Sequence, residues 1–288
     1  MKKRVLKTTG IILLIFVAVP LAVVYVWSTI IIDKTYSMPL THIAVPAGSA
    51  AIVEGERLVH IEHCSHCHGE KWSGGVVEKI DYVGEVIAPD ISTVIPKYTD
   101  DELVRLIRNG VKKDGKSIYV MPSFMYHNLT DEAVGKMIAY LRTIPPVPPT
   151  PGIAENSSWY PWGRLQMIQG KIPTIAETKD MHYCSDIHLN NADTSQVARG
   201  RYLVTCGCTS CHGGDLKGRK GFSPDLIIAT SYSKEKFMHL LHTGEGGLGR
   251  KNVTMMSDVA KNNLSYLHDE EIEAIYAYLQ TAPSQKNK

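Results

Sequence analysis

The feature that most constrains this chain is a five-residue pattern of two cysteines and a histidine that occurs twice. Residues 64–68 read CSHCH and residues 208–212 read CTSCH, so both follow C-x-x-C-H. The same arrangement of reactive side chains in each half implies that each half folds around the same chemical group. The rest of the sequence is interpreted around these two segments.

The pattern C-x-x-C-H is the attachment signature of c-type haem. Two thiols at this spacing form thioethers to the vinyl groups of one porphyrin, and the adjacent imidazole reaches the iron. Half of a zinc site or a thioredoxin-like redox pair are the alternatives. The histidine after both pairs favours haem, and no βαβ pattern is evident, so we predict two covalently attached haem c groups (iron). The predicted attachment and proximal residues are Cys64, Cys67, His68, Cys208, Cys211 and His212.

An apolar run of 22 residues, 11–32, follows four cations near the start of the chain. Its length and the preceding positive charge predict a membrane span with its N-terminus in the cytoplasm. A cleaved signal peptide is the alternative, but its apolar region is usually only about 7–15 residues long. We therefore predict a cytoplasmic basic end at 1–9 and a transmembrane signal-anchor at 10–33.

Either interpretation places the body of the chain on the periplasmic or outer side of the inner (cytoplasmic) membrane, where c-type haem is attached. No second long apolar run is present, so a single N-terminal span and a soluble remainder are expected. Without the four N-terminal cations the chain carries a small net negative charge and has no basic patch. This excludes nucleic acid as an expected partner.

The two halves also match beyond the cysteine motifs. Three matched pairs of short helices are predicted, at residues 54–59 and 199–204, 99–110 and 233–244, and 129–141 and 267–279. Thr99 and Glu102 form a capping box in the second pair, whose members both end at a glycine. The third pair has acidic first turns, apolar residues at helical spacing, and the sequence Ala-Tyr-Leu in both members. Alternation typical of strands is not evident, so the predicted fold class is all-α.

A proline-rich stretch at residues 145–151 is stiff and cannot continue a helix. It marks the boundary between a first domain at 50–146 and a linker and connector at 147–194. A second domain is predicted at 195–283. The connector contains two tryptophans and a proline close together, which favours a segment packed on the domains over a free one.

The order helix, C-x-x-C-H, proline-containing loop, helix, methionine, helix resembles the class I cytochrome c domain, here in tandem. The resemblance covers residues 50–146 and 195–283, behind an N-terminal transmembrane helix. The chain is similar to the cytochrome subunits of periplasmic flavin or quinoprotein dehydrogenases and to the dihaem subunit of certain terminal oxidases. Those dehydrogenase subunits usually carry three haems and a C-terminal anchor, whereas this chain has two motifs and an N-terminal apolar run.

The resemblance implies a methionine as the second iron ligand of each haem, ahead of the last helix of the domain. Met121, which precedes a proline, matches that position in the first half, with Met125 and His127 as alternatives. Met256 matches it in the second half, with Met255 as the alternative. A thioether raises the reduction potential and fills the sixth iron position, which suits electron transfer.

The resemblance also implies that the carbonyls of Pro89 and Pro224 accept a hydrogen bond from the proximal histidines and so orient their rings. The alternative is that both prolines only shape a turn. His239 and His242 are rival iron ligands, but they lie on a predicted amphipathic helix, which favours a surface or core role.

The two remaining cysteines, Cys184 and Cys206, are even in number, which suggests a disulfide in an oxidising compartment. Free buried thiols are the alternative. His63 and His66 lie beside or inside the first motif and are predicted to face solvent.

Taken together, the sequence predicts an electron carrier with no substrate chemistry of its own. It would pass single electrons between a membrane or periplasmic redox donor and an acceptor, as a subunit of a membrane-associated oxidoreductase complex. The alternative is a haem enzyme, such as a dihaem peroxidase or a thiosulfate-oxidising cytochrome, which needs one open iron site. A haem-based sensor is a remote third, since no signalling domain follows.

Overall fold

Helices form most of the secondary structure in the computed structural model, which describes residues 2–148, 150–178, 193–247 and 249–285. The first helix, α1 (Lys2–Ile32), contains the predicted apolar run and is long and apolar enough to cross a membrane. Its 18-residue apolar window is 0% buried within the chain. By length, composition and exposure α1 is therefore a candidate membrane span.

The two halves contain similar series of short helices, except that a 3-10 helix at Leu226–Ser231 in the second half stands where the first half has a short α-helix after Pro89-Asp90. In the first half they are α2 (Ser49–Ile61), α3 (Cys64–His68), α4 (Ile91–Val94), α5 (Asp100–Asn109), α6 (Ser123–Tyr126) and α7 (Asp131–Leu141). The connector contributes α8 (Pro161–Ile168). In the second half they are α9 (Gln196–Gly207), α10 (Thr209–His212), α11 (Lys234–Thr243), α12 (Met255–Asn262) and α13 (Asp269–Gln285). The predicted capping box at Thr99 and Glu102 is confirmed, as are the glycine ends of α5 and α11.

A small antiparallel sheet was not predicted. It consists of β1 (Gly75–Ile80), β2 (Gly84–Ala88) and β3 (Ser158–Trp159), in the order β1-β2-β3. The all-α prediction is confirmed for the body of the chain, and the sheet adds to it locally. The sequence does not predict strand β1, because the strand is largely exposed and its register shifts between Val76 and Glu78. The shift disrupts the alternation of apolar and polar residues that is typical of a strand.

The first and last helices of each domain cross where a glycine removes the side chain. A Cβ on Gly55 of α2 would lie 2.0 Å from the Lys136 carbonyl oxygen of α7, and a Cβ on Gly200 of α9 would lie 1.8 Å from the Ala274 carbonyl oxygen of α13. In both crossings the tyrosine of the repeated Ala-Tyr-Leu sequence faces the glycine, through Tyr140 and Tyr278. The sequence repeat therefore encodes one helix crossing twice.

Each domain has its own hydrophobic core, and each core includes one residue of the other domain. Cys206 of α9 belongs to the first core, and Ile61 of α2 belongs to the second. Because each domain places a side chain in its neighbour's core, the two domains share a buried interface next to both cysteine motifs.

Polar contacts continue this interface. Arg57 of α2 donates to both oxygens of Glu271 of α13, at 2.7 and 3.1 Å. The Asn263 side chain donates to the His60 carbonyl at 2.8 Å, and the rings of His60 and Tyr266 stack with centroids 4.4 Å apart. These contacts fix the orientation of the second domain on the first.

The connector packs on the first domain as far as residue 178. The ring of Trp159 meets that of Tyr119 edge-on, with centroids 5.2 Å apart. The Ile175 amide donates to the Ile118 carbonyl at 2.9 Å, and the Ile175 side chain is buried. Residues 150–178 are thus an extension of the first domain rather than a free tether.

Candidate haem sites

Both cysteine motifs lie on short helices that follow the first helix of their domain. In the first half α3 carries Cys64, Cys67 and His68, and it follows α2 after two residues. In the second half Cys208 directly follows α9, and α10 carries His212. The motifs are held against the hydrophobic cores, because Cys64 packs on the first core and Cys208 on the second.

The proximal histidines have the same hydrogen bond in both halves. His68 Nδ1 lies 2.9 Å from the Pro89 carbonyl oxygen, and His212 Nδ1 lies 2.9 Å from that of Pro224. A carbonyl can only accept, so each Nδ1 carries the proton, and Nε2 keeps the lone pair that binds iron. Burial lowers the pKa of both imidazoles, which favours the neutral form that a metal requires.

Two glycines bring the proline loops close to the histidines. A Cβ on Gly74 would lie 2.6 Å from the Ala88 carbonyl oxygen, and a Cβ on Gly218 would lie 2.3 Å from that of Ser223. The Gly74 amide also donates to the His68 carbonyl, as the Gly218 amide does to that of His212. The hairpin of β1 and β2 therefore occupies the place of a much shorter loop in the second half. The hairpin leads to Pro89 and the shorter loop leads to Pro224, which lies at the matching position.

The thiols are in an environment unlike that of a zinc site or a redox-active pair. Burial raises the pKa of Cys64 and of Cys67, and it raises the pKa of Cys208 to about 12. Metal-binding and redox-active cysteines instead have a lowered pKa. Within the described residues, no group of three or more His, Cys, Asp or Glu is arranged to hold a metal ion. The raised pKa values are unlike those of a redox-active cysteine pair.

Met121 and Met125 differ in what their sulfur atoms contact. Met125 is buried, and its Sδ accepts a hydrogen bond from the backbone N–H of Ser210 in the second motif, at 3.1 Å. Met121 is partly buried against the first core, just ahead of α6. The Met125 sulfur therefore takes part in a hydrogen bond between the two domains, whereas no such bond holds the Met121 sulfur among the contacts described. This difference supports Met121 as the iron ligand.

In the second half, Met256 packs on the second core, whereas Met255 is 54% exposed. The next residue, Ser257, is buried and donates to the Gly244 carbonyl at 2.6 Å, which fixes the start of α12. The rival histidines are paired with carboxylates at the surface: His239 with Glu245, and His242 with Asp269. This arrangement supports Met256 as the iron ligand.

We expect Met121→Leu to open the sixth position of the first haem, because leucine keeps the volume but has no lone pair. The reduced variant should bind carbon monoxide at one haem. The reduction potential of that haem should decrease, because a thioether ligand raises it and axial ligands set potentials over a range of roughly 0.8 V. Met125→Leu is the matched control and should bind no carbon monoxide. Binding by the Met125 variant alone would assign the ligand to Met125 instead.

The space between the two motifs contains Glu62 and His63, neither of which sequence reasoning had singled out for an interface. His63 was predicted to face solvent, but it contacts the Asn263 side chain and the Gly207 backbone, and burial lowers its pKa. His66 is exposed, as predicted. No local pattern distinguishes the two histidines, because the neighbours of His63 come from the other domain.

The carboxyl group of Glu62 is 4% exposed, and its Oε2 has no hydrogen-bond partner. Burial raises the pKa of Glu62 to about 8, so this side chain is mostly neutral at pH 7. The Tyr126 hydroxyl donates to the Glu62 carbonyl at 2.7 Å and closes the interface beside it. Neutrality explains how a carboxyl group without a counter-charge is accommodated between the domains.

Cys206 is buried in the first core, at 2% exposure. Its proposed disulfide partner Cys184 lies outside the described residues. The disulfide therefore stays a prediction.

The residues present fit a covalently held haem in each half. Two thiols, an imidazole with a fixed ring orientation and a thioether that packs on the core of the same domain occur in the same order in both domains. Class I cytochrome c domains are defined by this order of elements and ligands, and the chain is a tandem c-type cytochrome.

Comparison with known proteins agrees with this class. Residues 50–141 match the family model for subunit III of cbb3-type cytochrome c oxidase, and residues 197–283 match the cytochrome c family model. The chain thus contains two cytochrome c domains, with one covalently bound haem c in each.

Several characterised proteins are similar over most of this chain. The fructose dehydrogenase cytochrome subunit of Gluconobacter japonicus is 28% identical over 270 residues, which cover 81% of this chain and 53% of that protein. The cytochrome c subunit of the quinone alcohol dehydrogenase of Gluconacetobacter polyoxogenes is 25% identical, over 82% of this chain and 57% of its own length. The gluconate 2-dehydrogenase cytochrome c subunit of Pantoea cypripedii is 26% identical, over 82% and 60%. This chain spans little more than half the length of these relatives.

Proposed function

We propose that this protein is the electron-transfer subunit of a membrane-associated dehydrogenase and passes single electrons through two haems in series. The observation that carries the proposal is the contact between the domains at the cysteine motifs. The Ser210 amide of the second motif donates to Met125 of the first domain, and Glu62 and His63 of the first domain lie beside it. Haems attached at these motifs share one buried interface, which suits transfer from one to the other.

The ligand set supports transfer without substrate chemistry. Met121 and Met256 would fill the sixth iron positions, so that oxygen or peroxide would have to displace a core-packed side chain. When bound, each haem supplies one-electron redox chemistry. The residues of this chain would orient it, through the hydrogen bonds between the proximal histidines and the Pro89 and Pro224 carbonyls.

The partners are proposed from the relatives, which are named as cytochrome subunits of fructose, alcohol and gluconate dehydrogenases. A dehydrogenase subunit that oxidises a sugar, sugar acid or alcohol is the proposed donor. The acceptor is proposed to be a membrane component, because α1 would anchor the chain at the periplasmic face of the inner membrane. Mild-detergent purification from native membranes tests the assembly, and recovery of the chain without any dehydrogenase subunit would contradict it.

A haem enzyme is the competing function, and ligand binding separates the two. The intact protein should bind neither carbon monoxide when reduced nor peroxide when oxidised. Peroxide or thiosulfate turnover by the purified chain would overturn the carrier proposal.

We expect the double substitution Cys64→Ala and Cys67→Ala to leave one covalent haem per chain and to stop electron relay. Cys208→Ala with Cys211→Ala should do the same through the other haem, because a series relay requires both. The measurement is oxygen uptake by membranes supplied with fructose, gluconate or ethanol, with haem counted by mass. If one single-haem variant keeps the full rate, the two haems do not act in series.

A further inference from the structure

Three aromatic side chains lie exposed on one side of the first domain, although aromatic residues usually avoid water. Tyr82 is 81% exposed at the turn between β1 and β2, Trp162 is 50% exposed on α8, and Tyr160 is 38% exposed just before α8. We call these three residues the aromatic platform. Ile80, which precedes the turn, adds apolar surface at 42% exposure.

The backbone holds the platform together as one surface. The Tyr160 amide donates to the Val83 carbonyl at 2.9 Å, and Gly84 of β2 pairs with Trp159 of β3. Gly163 packs directly on the hairpin turn, since a Cβ there would lie 2.1 Å from the Val83 carbonyl oxygen. The hairpin turn and α8 are therefore fixed to each other.

Helix α8 is in turn fixed to α1 through Arg164. Its guanidinium donates to the Ser28 hydroxyl at 2.9 Å and to the Thr29 hydroxyl at 3.2 Å. It also lies 4.4 Å from the centre of the Tyr25 ring, which is a cation–π distance. Ser28 is completely buried by this contact.

The position of this contact along α1 relates the platform to a bilayer. About 20 helical residues cross a hydrocarbon core, so a bilayer that begins at Ile11 ends near Ile30. The Arg164 contacts at residues 25–29 lie at the outer end of that stretch, next to the headgroup layer. A membrane that covers the apolar run must then also reach α8 and the hairpin turn attached to it.

The chemistry of the surface matches the outer headgroup layer. Tyrosine and tryptophan are enriched at that level, because their rings are apolar and their polar tips remain hydrated. Trp27 on α1, 56% exposed, lies in the same segment as the Arg164 contacts. The exposed charges Lys79 and Asp81 closely precede Tyr82 in the chain, and a headgroup layer accommodates them whereas an acyl core does not.

We propose that the aromatic platform is a second membrane contact, which lies in the outer headgroup layer beside α1 and seats the first domain on the bilayer. The proposal rests on the membrane anchor proposed above. Its consequence is that α1 is not a flexible tether. The first domain has one fixed orientation to the membrane surface, and the second domain, clamped to the first, shares it.

Photoreactive lipids test this arrangement on the full-length holoprotein. The protein is reconstituted in vesicles of phosphatidylethanolamine and phosphatidylglycerol with a diazirine close to the headgroup, and labelled peptides are mapped by mass spectrometry. We expect label on α1 and on the peptides that contain residues 80–84 and 160–163. Three exposed apolar residues of the second domain, Phe222, Ile227 and Ile228, have exposures of 54%, 54% and 47%; they are the internal control and should stay unlabelled.

The outcomes separate this proposal from the anchor itself. Label on α1 with none on the platform would keep the anchor and overturn the membrane contact, leaving this surface for a protein partner. Absence of label from α1 as well would overturn both. In a variant with Tyr82→Ser and Trp162→Ser, we expect platform labelling to fall at least threefold while α1 labelling is unchanged. Equal platform labelling in the variant would show that the aromatic side chains do not make the contact.

Discussion

Gly200→Ala should destabilise the second domain by about 3 kcal/mol or more, because the added Cβ would lie 1.8 Å from the Ala274 carbonyl oxygen and 2.9 Å from the Tyr278 Cβ. The nearest neighbour is helix backbone, which cannot move aside as a flexible side chain would. Relief requires α9 and α13 to separate, and that separation opens the second core. The measurement is urea unfolding of the holoprotein, followed by far-ultraviolet circular dichroism.

Gly207→Ala is the matched control, since Gly207 lies on the same helix and an added Cβ there meets nothing within 4 Å. Alanine has the higher helix propensity, so this variant should be as stable as the parent or slightly more stable. Gly55→Ala should repeat the effect of Gly200→Ala in the first domain, where the added Cβ lies 2.0 Å from the Lys136 carbonyl. If Gly200→Ala unfolds at the same urea concentration as Gly207→Ala, the helix crossing is looser than described.

The sequence predicts the features that are encoded locally. A few adjacent residues are enough to predict each of these features: the cysteine pairs, the histidines that follow them, and the ends of α5 and α11. The repeat also marks Gly55 and Gly200 and the Ala-Tyr-Leu segments as matched. It does not reveal that each glycine faces the tyrosine of its own domain, because that is a contact between the two ends of a domain.

Features that depend on distant contacts are not predictable in this way. His63 and His66 are three residues apart, yet one is in the interface and the other in solvent, because Asn263 and Gly207 approach from only one side. Met121 is favoured over Met125 by its position before a proline, but spacing alone does not separate the two methionines. The hydrogen bond from Ser210 of the other domain distinguishes them. The pairing of β2 with β3 of the connector is also a distant contact, because the residues that pair are more than 70 positions apart in the chain.

Arg57→Leu should weaken the attachment of the second domain by on the order of 3 kcal/mol, because it leaves the buried carboxylate of Glu271 without its main partner. The side chain of Glu271 is 7% exposed, and Arg57 contacts both of its oxygens. Arg199 remains, but its Nη2 is 3.4 Å from Glu271 Oε1 and its side chain is 51% exposed. The His268 amide also donates to Glu271 and cannot neutralise its charge.

The pH dependence of this effect distinguishes a buried ion pair from lost packing. Burial acts to raise the pKa of Glu271, but hydrogen bonding to Arg57 brings it below the ordinary value of 4.5. A lowered pKa in the folded state gives stability that is present above pH 4.5 and is lost as the pH falls through the folded value. Without Arg57 the effect of burial dominates, so the variant should instead become more stable as the pH falls towards 4.5.

Two further variants complete the test in urea unfolding between pH 4 and pH 8. Arg57→Leu combined with Glu271→Leu removes both charges and should recover most of the lost stability, since no buried charge is left unpaired. Lys234→Met removes an exposed ion pair between α11 and Glu273, which lies on the same helix as Glu271, and we expect little measurable change from it. If Arg57→Leu loses the same stability at every pH, the contact acts through packing of the arginine stem and not through its charge. The reversal of the pH slope is therefore what identifies Arg57 and Glu271 as the ionic clamp between the two haem domains.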